Sequence, residues 1–154
     1  MKHLGPVQSV LVAYDLSEMS RRALAQALAL VPPRGRVFLF HVELAHPLPG
    51  GLVPTYQPGR RLTPDERAVQ RELARKELER ALPQDGRQER VIEVVEDEDV
   101  ARAILAAAKH HDVDLVCLGT HGHGPIASAL LGSVASAVLK KIDRPLLLVP
   151  PERG

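Results

Sequence analysis

Short, almost continuously apolar segments recur along the chain, separated by longer amphipathic ones. Segments of the first kind are typical of strands buried on both faces of a parallel sheet. They predict five strands, from Ser9 to Ala13, Val37 to Val42, Val91 to Val95, Leu115 to Leu118 and Leu146 to Val149. The amphipathic segments predict four helices, over residues 18–30, 64–82, 100–110 and 133–141. Strands that alternate with helices indicate an α/β fold with a parallel sheet covered on both faces.

Capping residues mark where several of these helices begin. Ser17 is a candidate N-cap for the first helix. Thr63-Pro64-Asp65-Glu66 has the form of a capping box with proline at the first helical position. The acidic run from Glu96 to Asp99 precedes the third helix, where carboxylates suit the positive end of the helix dipole. Lys140 and Lys141 suit the carboxyl end of the fourth.

Residues 43–62 are rich in proline and glycine and predict a long irregular loop. Loops of this length are uncommon in compact domains and are often functional. A flexible lid is the favoured interpretation, and recognition of a partner by the proline-rich residues 46–58 is the alternative.

Composition narrows the class of protein. The chain of 154 residues fits one domain over residues 1–154, with a mainly aliphatic core because only 3% of residues are aromatic. Lys and Arg total 20 against 19 for Asp and Glu, so the charge balance favours neither nucleic acid nor a membrane surface as a partner. No signal-peptide pattern opens the sequence, and no apolar run approaches membrane-spanning length. The single cysteine, Cys117, is expected to be a buried, inert thiol, and the cytoplasm is the expected location.

The richest local pattern is Gly119-Thr120-His121-Gly122, followed after nine residues by Gly132-Ser133. It lies between the fourth predicted strand and the fourth predicted helix. Glycines at such a junction let backbone N–H groups approach an anion, and the helix dipole favours negative charge there. The loop lacks the lysine of the Walker A motif. The pattern therefore predicts a phosphate-binding site with no evident group for phosphoryl transfer.

Ligands of open parallel sheets bind beyond the carboxyl ends of the strands. Asp15 follows the first predicted strand and the glycine loop follows the fourth, so both should lie at that edge. Simpler roles remain open for each element. The glycines can serve a tight crossover alone, Ser133 can be an N-cap, and Asp15 can cap the first helix without touching a ligand.

Histidines and the cysteine raise the question of a metal. The candidates are His110, His111, His121, His123 and Cys117. Their spacing matches no standard zinc pattern. Solvated or loop histidines are therefore favoured, and no metal ligands are predicted.

These motifs, taken together, resemble the universal stress protein family over nearly the whole length of the chain. The segments that carry the resemblance are Val10 to Ser17, Phe40-His41-Val42 and Asp114 to Val149, with the glycine spacing of the nucleotide-binding branch. The resemblance implies an open, twisted sheet of five parallel strands in the order 3-2-1-4-5, with helices on both faces. Such a fold is Rossmann-like, of the adenine nucleotide alpha hydrolase-like type. It also implies a homodimer joined through the fifth strand.

The resemblance further implies an adenine nucleotide as ligand, either ATP, ADP or AMP, with Mg²⁺ as the accompanying ion. Ala13 and Asp15 would border the adenosine, with Asp15 near the ribose, and Val42 would line the adenine slot. The phosphates would be held by Gly119, Gly122, Gly132 and Ser133 and by the backbone N–H groups of Val134 and Ala135. The remaining residues of the implied site are Tyr14, Leu118 and His121.

The chain departs from the family pattern at a few positions. His123 stands where the family often has arginine, so a phosphate counter-charge is missing or depends on pH. Pro125 removes an N–H group and stiffens the loop. Glu98 and Val100 replace a common glycine and proline, which alters only a turn.

Three classes of function are compatible with the sequence. The first is a nucleotide-dependent sensor or regulator of the stress response, with slow hydrolysis at most. The second is a dimeric interaction protein of the same fold that binds no nucleotide. The third, an α/β enzyme using the same crevice, has no visible nucleophile–base pair in its favour.

Overall fold

The computed structural model describes residues 5–44, 59–122 and 131–152. It contains a five-stranded sheet whose strands are β1 (Ser9–Ala13), β2 (Arg36–Glu43), β3 (Glu89–Glu96), β4 (Leu115–Gly119) and β5 (Leu146–Val149). The helices are α1 (Glu18–Leu30), α2 (Pro64–Ala81), α3 (Val100–His110) and α4 (Ser133–Lys141). Predictions about the middle of the Pro/Gly-rich segment, and about His123 and Pro125, concern residues outside these ranges.

All strand pairs are parallel and the order is β3-β2-β1-β4-β5. The central strand β1 pairs on one side with β2, Val10 opposite Val37, and on the other with β4, Val10 opposite Leu115. The α/β fold class and the strand order expected from the sequence are therefore confirmed.

The sheet separates two apolar layers. Alternate residues of the central strands, such as Val10 and Val12, pack with α1 and with Leu78 of α2. Leu11 faces the opposite side and packs with α3 and α4. Because side chains alternate along a strand, both faces of β1 are apolar, and its residues 10–12 are fully buried.

The helix caps form as the sequence predicts. Ser17 accepts a hydrogen bond from the backbone N–H of Ser20 at 3.2 Å. Thr63 and Glu66 form the reciprocal capping box, with hydrogen bonds of 2.8 and 3.2 Å. Asp99, the last residue of the acidic run, caps α3 by accepting from the N–H of Arg102 at 2.9 Å. No helix in the described ranges is long and apolar enough to cross a membrane.

Three strands are longer than predicted, β4 by the single residue Gly119 and β2 and β3 at both ends. β2 and β3 pair over eight residues, from Arg36 opposite Glu89 to Glu43 opposite Glu96. The apolar pattern marks only the middle of each strand. The ladder of backbone hydrogen bonds continues at both ends, through residues with charged side chains. At one end Arg36 and Glu89 also form an ion pair across the ladder, with 2.9 Å between Nε and Oε2.

Candidate functional site

The site lies at the carboxyl ends of β1 and β4, which are adjacent in the sheet. β1 is the strand at which the order reverses, since β2 lies on one side and β4 on the other. Open α/β sheets bind ligands in the crevice at this switch point. The residues that follow β1 and the glycine loop that follows β4 both reach it.

The junction between β1 and α1 is a sharp turn. The Tyr14 N–H donates to the Phe40 carbonyl at 2.8 Å, which continues the strand for one residue. Asp15 Oδ1 then accepts from the Ser17 N–H at 3.0 Å, and Leu16 has a φ of 68°. A left-handed leucine costs roughly 1 kcal/mol and is held only where its surroundings impose it. Asp15 therefore shapes the turn, and Ser17 is the N-cap of α1.

Each of the three loop glycines that the structure describes is in a place where a side chain would collide with the protein. A Cβ on Gly119 would lie 2.7 Å from Met19 Cβ, and one on Gly122 would lie 2.5 Å from Asp15 Oδ2. On Gly132 it would lie 2.9 Å from the Thr120 carbonyl oxygen. The glycines let the loop pack closely on the β1–α1 junction. This packing is the simpler role that the sequence left open, and it is compatible with anion binding.

Helix α4 begins at the end of this loop without a side-chain cap. Gly132 is the N-cap, and no cap hydrogen bond from a side chain is present within the described residues. Ser133 is the first helical residue, so the alternative that it is the N-cap is wrong. Its N–H and those of Val134 and Ala135 are the first three donors of the helix, which have no carbonyl partner within it.

Thr120 joins three parts of this site and was not among the predicted residues. Its carbonyl oxygen accepts from the Gly132 N–H at 2.7 Å, and its N–H donates to the Val149 carbonyl at 3.0 Å. Its Oγ1 lies 3.0 Å from Nδ1 of His121. The sequence signal for this role is its position between Gly119 and His121, because hydrogen bonds at that point hold the backbone of the glycine loop in place.

Five residues of the predicted site form an apolar wall on one face of the sheet, the α3/α4 side: Ala13, Val42, Leu118, Val134 and Ala135. Ala13 and Val42 are the two of these that were predicted to contact the adenosine. Tyr14 does not join them, because its side chain is buried among α1 and its neighbours on the other face. Burial raises the pKa of the Tyr14 hydroxyl. The Tyr14 carbonyl oxygen lies 2.7 Å from Nδ1 of His41.

Cys117 is fully buried in β4, as the sequence predicts, and its thiol donates to the Ala23 carbonyl at 3.3 Å. Burial raises the pKa of this thiol to about 12, so it is not a thiolate at neutral pH.

His111 differs from the solvated histidine expected of it. Its ring stacks on Phe38 with centroids 4.3 Å apart, and Nε2 lies 2.5 Å from Oε2 of Glu93. The α/β topology brings these side chains together from α3, β2 and β3, which the spacing along the chain does not reveal. Within the described residues, no group of three or more His, Cys, Asp and Glu side chains is placed to hold a metal ion.

Glu43 is a further buried group at this edge of the sheet. It is 5% exposed, and its Oε1 has no hydrogen-bond partner in the described part of the chain. Burial raises the pKa of its carboxyl to about 7, Arg71 opposes the shift, and Glu96 adds to it. The proline- and glycine-rich pattern of residues 43–62 predicts a loop, and it gives no sign that residue 43 is buried at the end of a strand.

The sheet order, the switch-point crevice and the glycine loop define an α/β protein of the adenine nucleotide alpha hydrolase-like fold. The sequence matches the family described as the Universal stress protein family over residues 6–150. The chain therefore belongs to the universal stress protein family.

Relatives cover nearly the whole chain. A protein of Thermus aquaticus, "Universal stress protein in QAH/OAS sulfhydrylase 3'region", is 32% identical over 149 residues, which are 92% of this chain and 98% of the relative. The solved structure of hypothetical protein MJ0577 has a TM-score of 0.73 at 22% identity, covering 97% of this chain and all 100% of that one. A universal stress protein solved in complex with cAMP has a TM-score of 0.61 at 20% identity, covering 96% of this chain and 100% of that one.

Proposed function

We propose that this protein binds an adenine nucleotide at the carboxyl edge of β1 and β4 and acts as a nucleotide-dependent sensor or regulator in a stress response. The observation that carries the proposal is the start of α4. Three N–H donors that have no carbonyl partner within α4, those of Ser133, Val134 and Ala135, follow a glycine loop at the switch point of the sheet. Backbone donors in this arrangement are well suited to a phosphate group.

The nucleoside would lie on the apolar wall beside this helix start. Ala13, Val42 and Leu118 supply apolar surface on the same face of the sheet. Asp15, held by the Ser17 N–H through Oδ1, would lie near the ribose hydroxyls. The complex of a family member with cAMP supports an adenine nucleotide as the ligand class. ATP, ADP and AMP are the proposed ligands, and Mg²⁺ would accompany a polyphosphate.

Hydrolysis is proposed to be slow or absent. The loop has no Walker A lysine to neutralise charge on a transferred phosphoryl group. A sensor needs only to bind and release the nucleotide, without hydrolysing it. We also propose that the protein works in the cytoplasm as a homodimer joined through β5.

A second candidate function is an interaction protein of the same fold that binds no nucleotide. The glycine contacts favour it, because the packing of the protein itself requires glycine at Gly119 and Gly132, and a side chain at Gly122 would displace the Asp15 carboxylate. The glycines would then serve the packing of the fold, with no ligand needed to explain them.

Titration calorimetry with ATP, ADP and AMP distinguishes the two candidates. Gly132→Val would push the loop away from the Thr120 carbonyl and displace the phosphate donors. We expect its affinity for ATP to fall by about tenfold or more, the equivalent of one lost charge-assisted hydrogen bond. Gly5→Val is the matched control, since a Cβ at Gly5 has no atom within 4 Å. Wild-type protein that binds none of the three nucleotides at millimolar concentration would contradict the proposal and favour the interaction protein.

A further inference from the structure

A cavity of about 180 Å³ borders the glycine loop on the side of α1. The first turn of α1 forms one wall through Ser17 and Met19, and Gly122 of the loop forms another. The tail that follows β5 closes it through Glu152, and Arg22 of α1 is the basic residue of its lining. The cavity thus shares Gly122 with the proposed phosphate site, and the cation Arg22 lines it.

The guanidinium of Arg22 is incompletely paired for a buried group. Its Nε and Nη1 atoms are buried and make no hydrogen bond within the described residues. Nη1 lies 2.8 Å from Oε1 of Glu152, but the direction of its N–H does not meet that oxygen, so the contact is an ion pair without a hydrogen bond. Buried N–H groups without an acceptor are costly, and a charged group more so.

The two partners of this ion pair differ in exposure. The Arg22 side chain is 30% exposed, whereas that of Glu152 is 86% exposed. The ion pair with this exposed carboxylate contributes little to stability, because solvent screens the two charges and ordering the Glu152 side chain costs entropy. Glu152 is therefore easily displaced from the cation by an anion of higher charge.

The other charged groups at this end of α1 have partners of their own. Glu18 pairs with Arg21, with 3.3 Å between Oε2 and Nη1. Asp15 is engaged through Oδ1 by the Ser17 N–H. An anion that enters the cavity would therefore meet Arg22 as the cation whose hydrogen-bonding capacity is unfilled.

We propose that Arg22 binds the terminal phosphate of a nucleoside polyphosphate, and that Glu152 occupies the guanidinium in the nucleotide-free protein as an internal competitor. The proposal rests on the nucleotide binding proposed above. A phosphate accepts two parallel hydrogen bonds from a guanidinium and carries more charge than a carboxylate, so it is the stronger partner. AMP, whose single phosphate would remain on the glycine loop, does not reach Arg22. The site would thereby distinguish ATP from AMP, and displacement of the tail would report which of them is bound.

Calorimetry with ATP and AMP on four variants tests this role. In Arg22→Gln, we expect ATP affinity to fall by about tenfold, the effect of one lost hydrogen bond to a charged group, with AMP affinity within about twofold of wild type. In Glu152→Gln, ATP affinity should rise by about two- to fivefold because a surface ion pair no longer competes. This rise in ATP affinity should be absent when Glu152→Gln is combined with Arg22→Gln. Arg21→Gln removes the neighbouring, more exposed arginine and is the matched control.

The outcomes separate this inference from the function on which it rests. A ratio of ATP to AMP affinity that is the same in wild type, Arg22→Gln and Glu152→Gln overturns the role of Arg22 and leaves nucleotide binding intact. Failure of wild type to bind either nucleotide overturns both. Arg22→Lys keeps the charge and the stem of the side chain, and it should retain part of the preference for ATP. If folded Arg22→Lys protein lost affinity for ATP and for AMP by the same factor, that result would also contradict the inference.

Discussion

Glu43 lies at the end of β2 with its carboxyl group almost completely buried. The charged groups that bear on it come from two neighbours, Arg71 on α2 and Glu96 on β3. Arg71 also faces Glu96, with 3.7 Å between Nη2 and Oε2, and Arg67 binds the other oxygen of Glu96 at 3.0 Å. Arg71 is therefore shared between Glu43 and Glu96, Arg67 pairs with Glu96, and burial dominates the pKa of Glu43.

A pH-dependent stability follows from this burial. The pKa of Glu43 is about 7 in the folded protein and near 4.5 when unfolded, so the folded state holds a proton that the unfolded state releases between those values. Its contribution is complete below pH 4.5 and is lost as the pH rises through about 7. Glu43→Gln should be more stable than wild type by about 3 kcal/mol at pH 8, with a difference near zero at pH 4.5. Urea unfolding at several pH values measures this difference.

Glu89→Gln is the control for that series. Glu89 is an exposed carboxyl on β3 that pairs with Arg36, and its loss should change stability by less than about 1 kcal/mol at either pH. A Glu43→Gln variant that is equally or less stable than wild type at pH 8 would show that the carboxyl is solvated or paired in the folded protein.

Residues of the candidate site differ in how far the sequence reveals them. Gly119, Gly122, Gly132 and Ser133 follow from local spacing, because a strand, a glycine loop and a helix are contiguous in the chain. Arg22 and Glu152 are brought together by the sheet order, since β5 and its tail return beside α1. Nothing in the local pattern around either residue indicates the other.

Arg144, which precedes β5, stabilises the connection between α3 and β4 through hydrogen bonds. Its side chain is 6% exposed, and Nη1 donates to the carbonyl oxygens of Ala108 and Val113 at 2.8 Å each. Ala108 lies in the last turn of α3, where carbonyls have no partner within the helix. The Ala108 carbonyl also accepts from the Val113 N–H at 3.2 Å, so Arg144 adds a charged donor to a carbonyl at the end of α3 and also donates to the carbonyl of Val113, just before β4.

Arg144→Met should destabilise the protein by about 3 kcal/mol, because two buried carbonyl oxygens lose a charged donor. Urea unfolding of the two proteins at pH 7 measures the difference. Arg36→Met is the matched control: its side chain is 51% exposed and forms one surface ion pair, so about 1 kcal/mol or less is expected. Similar losses in the two variants would mean that the Arg144 hydrogen bonds contribute no more than a surface pair.

Helix and strand boundaries show where sequence patterns are informative. α1 and α3 begin and end at the predicted residues because Ser17 and Asp99 are strong caps next to an apolar periodicity. β2 and β3 extend beyond their predictions because a backbone ladder does not depend on apolar side chains. The role of Arg144 was not predictable, since it depends on carbonyls 31 and 36 positions away in the chain.

β5 forms one edge of the sheet. Leu146, Leu147 and Leu148 are partly exposed there, and an apolar edge strand is prone to pair with another chain. The Val116 N–H donates to the Pro145 carbonyl, and the Thr120 N–H donates to that of Val149. Odd-numbered residues of β5 therefore face β4, and the N–H groups of Leu146 and Leu148 point to the open edge.

Leu148→Pro should convert the proposed homodimer to a monomer while the fold survives. Proline at 148 removes an N–H that faces the open edge, which is where proline is tolerated in a sheet. Light scattering at micromolar concentration should show a dimer for wild type and a monomer for the variant, with unchanged circular dichroism. Leu147→Pro is the control that removes an N–H facing β4, and it should unfold more easily than wild type. A wild-type monomer, or a dimeric Leu148→Pro, would contradict an interface through β5.

Val149 is unsuited to the same test. It is 5% exposed and packs in the layer beneath α1, so a lysine there would disturb the protomer itself. The edge position was predictable from the resemblance, whereas the different environments of Leu148 and Val149 required the hydrogen-bond register.

The place of β1 at the centre of the sheet also bears on how the chain is made. β1 is synthesised well before its neighbour β4, which pairs with it through Val10 and Leu115, more than a hundred positions apart. A nascent chain on the ribosome therefore carries an apolar strand with one open edge until β4 has emerged, and such edges are vulnerable to aggregation. The crevice itself is completed only when α4 leaves the exit tunnel. A ligand of the proposed site would therefore have no complete site on the growing chain, and it could stabilise the chain only after α4 has emerged.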